Sequence, residues 1–306
     1  MIKQLKYYAN RGKRLSRIAF RQALYRLHGV LHDTVTSRTR QGLLTMSARH
    51  DGVSLLLYRE REYEYGDSIR AIKFLKDAGF VPAHHVNMLD VGANIGMISI
   101  GLALANEVDG VVAIEPEPQN FRLLRKNVEQ NRLTERILCL QMAVGDKAST
   151  LNMELSHDNT ADHRIREVPT PGAPENARES LRQIIQVKSL PLTAVQGLPE
   201  VRAFGRFPPA VMWIDVQGYE GYVFQGGKSL LETGLPSVAE IWPYGILRAG
   251  MPLEDFVKIV SSIWTDYWVD RRDRFTRYPI TVFDRYLEEL GNDGYFENVI
   301  FTRRST

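Results

Sequence analysis

The stretch Met88-Leu89-Asp90-Val91-Gly92-Ala93-Asn94-Ile95-Gly96 constrains the fold more than any other part of the chain. An apolar run with strand character enters a turn bounded by two glycines, and a nearly apolar helical run follows from Gly96 to Ala105. Glycine permits tight turning and close backbone approach to a ligand, and the helix that begins there offers unpaired N–H groups. In open α/β sheets ligands bind outside the carboxyl ends of the strands. The turn is therefore the expected seat of a nucleotide-like cofactor.

The pattern on either side agrees. Strands are expected at Val86–Val91, Gly110–Glu115, Arg136–Ala143, Thr150–Leu155, Ile184–Lys188, Ala210–Asp215, Ser237–Trp242 and Phe296–Phe301. Helical periodicity lies between several of them. In Pro118–Asn131, for example, Phe121, Leu124 and Val128 share one face, and Phe256–Ile263 is another such stretch. Alternating strands and helices predict an α/β fold with a mostly parallel sheet covered on both faces. The proline-containing segment Ser156 to Ser180 reads as a long loop, of the kind that often serves as a lid or binding loop.

Length and composition set the outer limits. At 306 residues the chain can bury a full core unaided, and its single cysteine, Cys139, excludes a disulfide scaffold. The Gly96–Ala105 run is about half the length a membrane helix needs. The basic N-terminus lacks the apolar h-region of a signal peptide. A soluble, cytoplasmic protein is expected.

The acids near the turn select among cofactors. A dinucleotide fingerprint requires Gly-x-Gly-x-x-Gly, whereas this chain has Gly92-x-Asn94-x-Gly96. A carboxylate at Asp90 would repel a pyrophosphate but suits a ligand bearing an ammonium and a sulfonium. The second strand ends in Ile114-Glu115-Pro116, where an acid can accept both hydroxyls of a ribose. S-adenosyl-L-methionine fits this pair better than NAD, so a dehydrogenase is disfavoured.

Leu89–Gly96, Glu115-Pro116, Asn127-x-x-x-Asn131, Ala143-Val144-Gly145-Asp146 and Trp213-Ile214-Asp215-Val216-Gln217-Gly218-Tyr219-Glu220 together resemble the FkbM family of class I S-adenosylmethionine-dependent methyltransferases. The likeness spans roughly residues 60–306. It implies a Rossmann-like, seven-stranded sheet whose last strand is antiparallel, and O-methylation of a small-molecule hydroxyl on a sugar, glycan or polyketide-like scaffold. It further implies that Asp90, Gly92, Asn94 and Gly96 line the methionine end of the cofactor, with Glu115 at the ribose and Ala143 beside the adenine. Two positions depart from the family pattern. Gln217 stands where many members have Glu, and Ser189-Leu190-Pro191-Leu192 replaces Thr-Leu-Asp.

A neutral alcohol needs a base or a metal to remove its proton. Asp215, at the end of one apolar strand, is the first candidate for the base, and Glu240, inside another, is the second. A turn-shaping role competes for Asp215 and Glu220. His163 is a third candidate base. Its loop neighbours Asn159, Asp162 and Arg164, together with Trp242, are candidate acceptor contacts. No His/Cys cluster has the spacing of a transition-metal site. Asp215 and Glu240 could hold Mg²⁺, but no metal is expected.

Charge divides the chain in two. Residues 1–50 carry eleven Lys or Arg against Asp33 alone, a net +10, which leaves −7 for residues 51–306. The first segment is expected to be a basic helical extension and the second the methyltransferase domain. In the extension, Phe20, Leu24, Leu27 and Leu31 recur at helical spacing, with Arg14, Arg17 and Arg21 on another face. Three partners compete for this arm: an acidic membrane surface, nucleic acid, or the protein's own acidic body or second subunit. The last is favoured because an apolar stripe usually buries against protein, and nucleic acid ranks third. The arm also keeps open an RNA or protein methyltransferase, and a non-catalytic cofactor-binding partner is the reading from a different class.

Overall fold

The computed structural model describes residues 2–49, 51–166, 182–271 and 274–304, with side chains from Ser16 onward. Most of the expected Ser156–Ser180 loop therefore lies outside the described residues. The chain opens with helix α1 (Ile2–Leu31), the hairpin strands β1 (Thr34–Thr39) and β2 (Gly42–Ser47), and helices α2 (Gly52–Glu60) and α3 (Tyr65–Asp77). Strand–helix alternation follows: β3 (Asn87–Val91), α4 (Met97–Leu104), β4 (Gly110–Ile114), α5 (Pro118–Gln130) and β5 (Ile137–Leu140). Next come β6 (Ala143–Gly145), β7 (Ser149–Leu155), β8 (Arg164–Ile165) and β9 (Gln183–Pro191), then α6 (Leu192–Val195) and α7 (Pro199–Phe204). The chain continues with β10 (Val211–Ile214), α8 (Glu220–Leu231), β11 (Ser237–Ile241), α9 (Pro243–Arg248) and α10 (Leu253–Ile263). It closes with β12 (Asp266–Asp270), β13 (Phe275–Pro279), α11 (Phe283–Leu290) and β14 (Glu297–Thr302).

The main sheet has eight strands in the order β13-β12-β14-β11-β10-β3-β4-β5. Strands β11, β10, β3, β4 and β5 are parallel neighbours, and β14 runs antiparallel to both β11 and β12. This is the expected seven-stranded arrangement with its antiparallel final strand, extended by one edge strand, β13, antiparallel to β12. The central strands β3, β4, β10 and β11 are buried at nearly every position, as parallel strands covered on both faces must be. Strand order reverses between β3 and β10, which places the topological switch point at their carboxyl ends.

Arg136–Ala143, expected as one strand, divides. Ile137–Leu140 joins the main sheet, and Ala143–Gly145 pairs in parallel with Ser189–Pro191 in a second sheet of order β6-β9-β7-β8. That second sheet carries the loop 156–163 as the connection of the β7–β8 hairpin.

The N-terminal segment also differs from the expectation. Its helix ends at Leu31, and residues 34–47 form a hairpin stitched to α5. Asn127 Oδ1 accepts from the Thr45 amide at 2.7 Å, and its Nδ2 donates to the carbonyls of Thr45 and Ile95. Asn131 closes a similar pair of bonds on Leu43. Within α1 only Leu24 of the expected apolar stripe packs against the core; Phe20 is 65% exposed, Leu27 59% and Leu31 69%. The helix instead packs through Tyr25, whose hydroxyl donates to the Ser47 carbonyl at 2.9 Å, and through Gly29, where a Cβ would stand 2.3 Å from the Ala48 carbonyl oxygen.

Because Asn127 is fully buried, Asn127→Leu strands the polar groups of Thr45 and Ile95 without partners. We expect it to lower stability by about 3 kcal/mol, seen as a fall in the urea midpoint. An unchanged midpoint would show that the hairpin is not held through this side chain.

Candidate active site

Val91 ends β3, and Gly92 follows at φ 89°. An ideal Cβ on Gly92 would lie 1.8 Å from the Asp215 carbonyl oxygen, so the turns after β3 and β10 touch only because position 92 has no side chain. Four carboxylates reach this edge as the parallel register requires: Asp90 on β3, Glu115 after β4, Asp215 after β10 and Glu240 near the end of β11.

Two connected cavities open here. The first, about 360 Å³, is lined by Glu64, Asp90, Asp215, Gln217, Glu240 and Trp242, among others. Its volume lies in the range of small-molecule sites, roughly 300–1,000 Å³. The second is lined by Ile114, Glu115, Asn120, Ala143, Met153 and Ile165 and holds about 50 Å³. Gly92, Asn94, Ala161, Asp215 and Gln217 border both.

The loop between β7 and β8 narrows the second cavity. The Thr160 carbonyl receives Asn94 Nδ2 at 3.4 Å and Asn120 Nδ2 at 3.0 Å, spanning the cleft from the glycine turn to α5. Asp51 holds the same residue from the other side, accepting the Thr160 amide at 2.8 Å and its hydroxyl at 2.9 Å.

The residues suit a cationic, ribose-bearing cofactor. Asp90 is buried, accepts a hydrogen bond from the Ser99 hydroxyl, and has no Lys or Arg paired with it among the described residues. Burial pushes its carboxyl up to about 7. Glu115 accepts the amides of Asn94 at 2.9 Å and Glu117 at 2.8 Å, and burial lifts it to about 8. Its remaining lone pairs are enough for two hydroxyls. Asn120 Oδ1, on the same cavity, is buried without a hydrogen-bond partner among the described residues. Dry carboxylates lacking a cation complement a positively charged ligand.

On the wall of the larger cavity, the Gln217 side chain joins the two candidate acids. Its Nε2 donates to Asp215 Oδ1 at 2.7 Å and to Glu240 Oε1 at 2.9 Å. Burial raises Asp215 to about 6, opposed by the hydrogen bonds from Gln217. Glu240 is raised well above the carboxylate range, first by burial and then by repulsion from Asp215, Glu220 and Glu64. The turn-shaping role considered for Glu220 is what the structure shows: its Oε1 accepts the amides of Val216 at 3.0 Å and Gly218 at 3.3 Å.

The loop residues are brought near but in unequal roles. Asn159, Asp162, Arg164 and Trp242 all line the larger cavity. Arg164 lies over the Trp242 ring, 5.0 Å from its centroid, and Asp162 is shared between Arg164 and Arg182. The indole Nε1 of Trp242 has no hydrogen-bond partner among the described residues. His163 faces the smaller cavity instead. Its Nδ1 accepts the Ser156 amide at 2.9 Å, and burial holds the ring neutral, so Nε2 keeps the proton. In this arrangement neither nitrogen is free to take a proton from an acceptor, which corrects the expectation that His163 could be the base.

Sequence reasoning missed Tyr63 and Glu64, which enter the larger cavity from the chain before α3. Gln41, at the tip of the β1–β2 hairpin, clamps them. Its Oε1 accepts the Tyr63 amide at 3.0 Å, and its Nε2 donates to the carbonyls of Tyr63 and Met97. Burial and the Asp215 charge raise Glu64 to about 7. Asp51, Thr160 and Arg182 were likewise unforeseen. The one available signal was Asp51 as an N-cap before the apolar Val53–Leu57 run.

Residues 90–267 match the methyltransferase FkbM domain, and the chain belongs to that family. No curated protein matches it in sequence. Among solved structures, Trm5b from Pyrococcus abyssi aligns at 12% identity and a TM-score of 0.44, over 88% of this chain and 56% of that one. The tRNA m1G37 methyltransferase of M. jannaschii aligns at 11% and 0.42, over 90% and 58%. The precorrin-6y C5,15-methyltransferase of Geobacter metallireducens aligns at 10% and 0.37, over 77% and 88%.

Asp90, Glu115 and Glu64 have folded pKa values raised above their ordinary ones. Their contribution to stability is therefore complete below about pH 4 and lost as pH rises through 7 to 8. We expect the melting temperature of the ligand-free chain to fall by several degrees between pH 5.5 and 8.5, and Asp90→Asn to flatten that slope. A wild-type slope unchanged by Asp90→Asn would show that Asp90 does not carry the raised pKa.

Proposed function

We propose that this methyltransferase uses S-adenosyl-L-methionine to methylate a hydroxyl of a polyhydroxylated small molecule, such as a sugar or a natural-product scaffold. The observation that carries the reading is the Asp215–Gln217–Glu240 chain on the wall of the larger cavity, beside Asp90 and the glycine turn. Asp90 and the turn would hold the amino acid end of the cofactor, Glu115 its ribose, and the apolar wall around Ala143 its adenine. Bound there, the cofactor supplies a sulfonium methyl group to an oxygen nucleophile.

The chain's own residues prepare that nucleophile. Asp215, raised only to about 6, is ionised at neutral pH and can accept the hydroxyl proton. Glu240, which burial and its acidic neighbours push well above the carboxylate range, would be the partner that donates to a neighbouring acceptor oxygen. Two carboxyls pushed apart in this way divide into a base and a donor. Trp242 offers an apolar wall and a free N–H, and Arg164 and Arg182 balance part of the negative charge on the loop side. That mixture of acceptors and donors around one aromatic face suits a polyol better than a flat apolar substrate.

Calorimetry with S-adenosylmethionine and NAD, followed by transfer of labelled methyl from S-adenosylmethionine to a panel of free sugars and methyl glycosides, tests this. The expected result is selective binding of S-adenosylmethionine and label in an alkali-stable ether. Asp215→Asn should leave cofactor affinity within about threefold and cut transfer by about 10²-fold or more. Preference for NAD would remove the cofactor assignment. Label found only in RNA or protein would remove the acceptor assignment.

A further inference from the structure

An ordinary surface helix turns its apolar face inward, but from Ser16 onward most of the large apolar side chains of α1 face outward, Leu24 packing against the core beside Tyr25 as the exception. The face against the body is made by Ile18, Arg21, Gln22, Tyr25, His28 and Gly29. It is held by polar contacts, with Arg21 Nη1 donating to the Arg59 carbonyl at 2.9 Å and Tyr25 to that of Ser47. At 3.6 residues per turn, Phe20, Leu27, Val30 and Leu31 fall on the opposite side, and all four are exposed, Val30 to 78%. Arg17 and Arg26, both exposed, flank this apolar row on its two edges. Over its full length α1 carries eight Lys or Arg and no acid.

We infer that the outer face of α1 is a docking surface for an anionic lipid bilayer, on which the helix lies in the interfacial plane. Apolar side chains bordered by arginines provide both contributions that such binding needs, insertion between headgroups and attraction to anionic ones. No helix among the described residues is long and apolar enough to cross a membrane, so the contact is peripheral. Nucleic acid would satisfy the arginines but leave the four apolar side chains in water. A symmetric contact with a second copy would bury the apolar row but bring two all-cationic helices together. The inference does not depend on the cofactor or the acceptor.

The test is flotation of the full chain with phosphatidylcholine vesicles, with and without phosphatidylglycerol, at physiological salt. Binding should favour the phosphatidylglycerol vesicles by about tenfold or more. It should fall by about tenfold in the triple variant Phe20→Ser, Leu27→Ser, Leu31→Ser, and comparably in Arg17→Gln, Arg26→Gln. These positions are exposed, so circular dichroism and cofactor binding should match the wild type and separate lost docking from lost folding. Absence of binding to phosphatidylglycerol vesicles would overturn the inference. So would binding indifferent to the triple apolar variant, or a dimer in sedimentation that this variant abolishes while vesicles go unbound.

Discussion

Gly92 carries no side chain, and the Asp215 carbonyl oxygen occupies the space where one would begin, 1.8 Å from the ideal Cβ position. The contact fixes the spacing between the turns that follow the two strands at the switch point. One turn leads into the amide-rich start of α4, where Asn94 and Gly96 stand. The other presents Asp215 and Gln217. The two cavities share this wall, with Gly92, Asn94, Asp215 and Gln217 bordering both. The second turn makes a similar close contact further on: a Cβ at Gly218 would collide with the Gly245 backbone at the start of the short helix after β11. The turns after β3 and β10 and the helix after β11, neighbours in the sheet around the larger cavity, are thus positioned by backbone touching backbone.

The same packing creates the electrostatic character of the site. Parallel strands deliver their C-terminal residues to one edge, and here four of those residues or their neighbours are acids, Asp90, Glu115 and Glu240 buried and Asp215 half-buried. Glu64 adds a fifth from outside the sheet. Repulsion among them would force protonation or disorder if nothing intervened. Gln217 intervenes between Asp215 and Glu240. One amide nitrogen, at a left-handed φ of 55°, serves both Asp215 and Glu240. A glutamate at that position would set another carboxylate against Asp215 and Glu240 where the glutamine supplies a donor. The chain has therefore settled its acceptor side with hydrogen bonds, and on the loop side with Arg164 and Arg182 around Asp162.

Much of this was legible before the fold. The run through Asp90 to Gly96, and the acids Glu115, Asp215 and Glu240, could be placed because a buried parallel strand announces itself by apolar length and ends at the site by topology. Contributions from elsewhere in the chain were not legible. Tyr63 and Glu64 enter the cavity because Gln41 holds them, and a hydrogen bond between a hairpin tip and a distant backbone leaves no local pattern. The hairpin itself alternates faces, with Val35 and Ser37 buried between exposed Thr36 and Arg38, a period too short to stand out beside the basic helix that precedes it. His163 misled because residue type indicates what a ring can do. Only the structure shows that the Ser156 amide already occupies its accepting nitrogen.

Asp51 explains why the charge boundary near residue 50 is not a structural one. Its carboxylate caps α2 through the Ser54 amide and holds Thr160 twice, while its carbonyl receives the Tyr25 hydroxyl at 3.4 Å. The basic helix, helix α2 and the loop over the smaller cavity therefore meet at one residue. Tyr25 is buried among both carbonyls it serves, and burial raises its hydroxyl well above the usual phenol range, so it stays a donor at any physiological pH. A helix attached only by charge would weaken with salt, whereas one seated by a buried neutral hydroxyl does not. The inner face of α1 is accordingly part of the enzyme, and the segment's excess positive charge is left to act on its outer side.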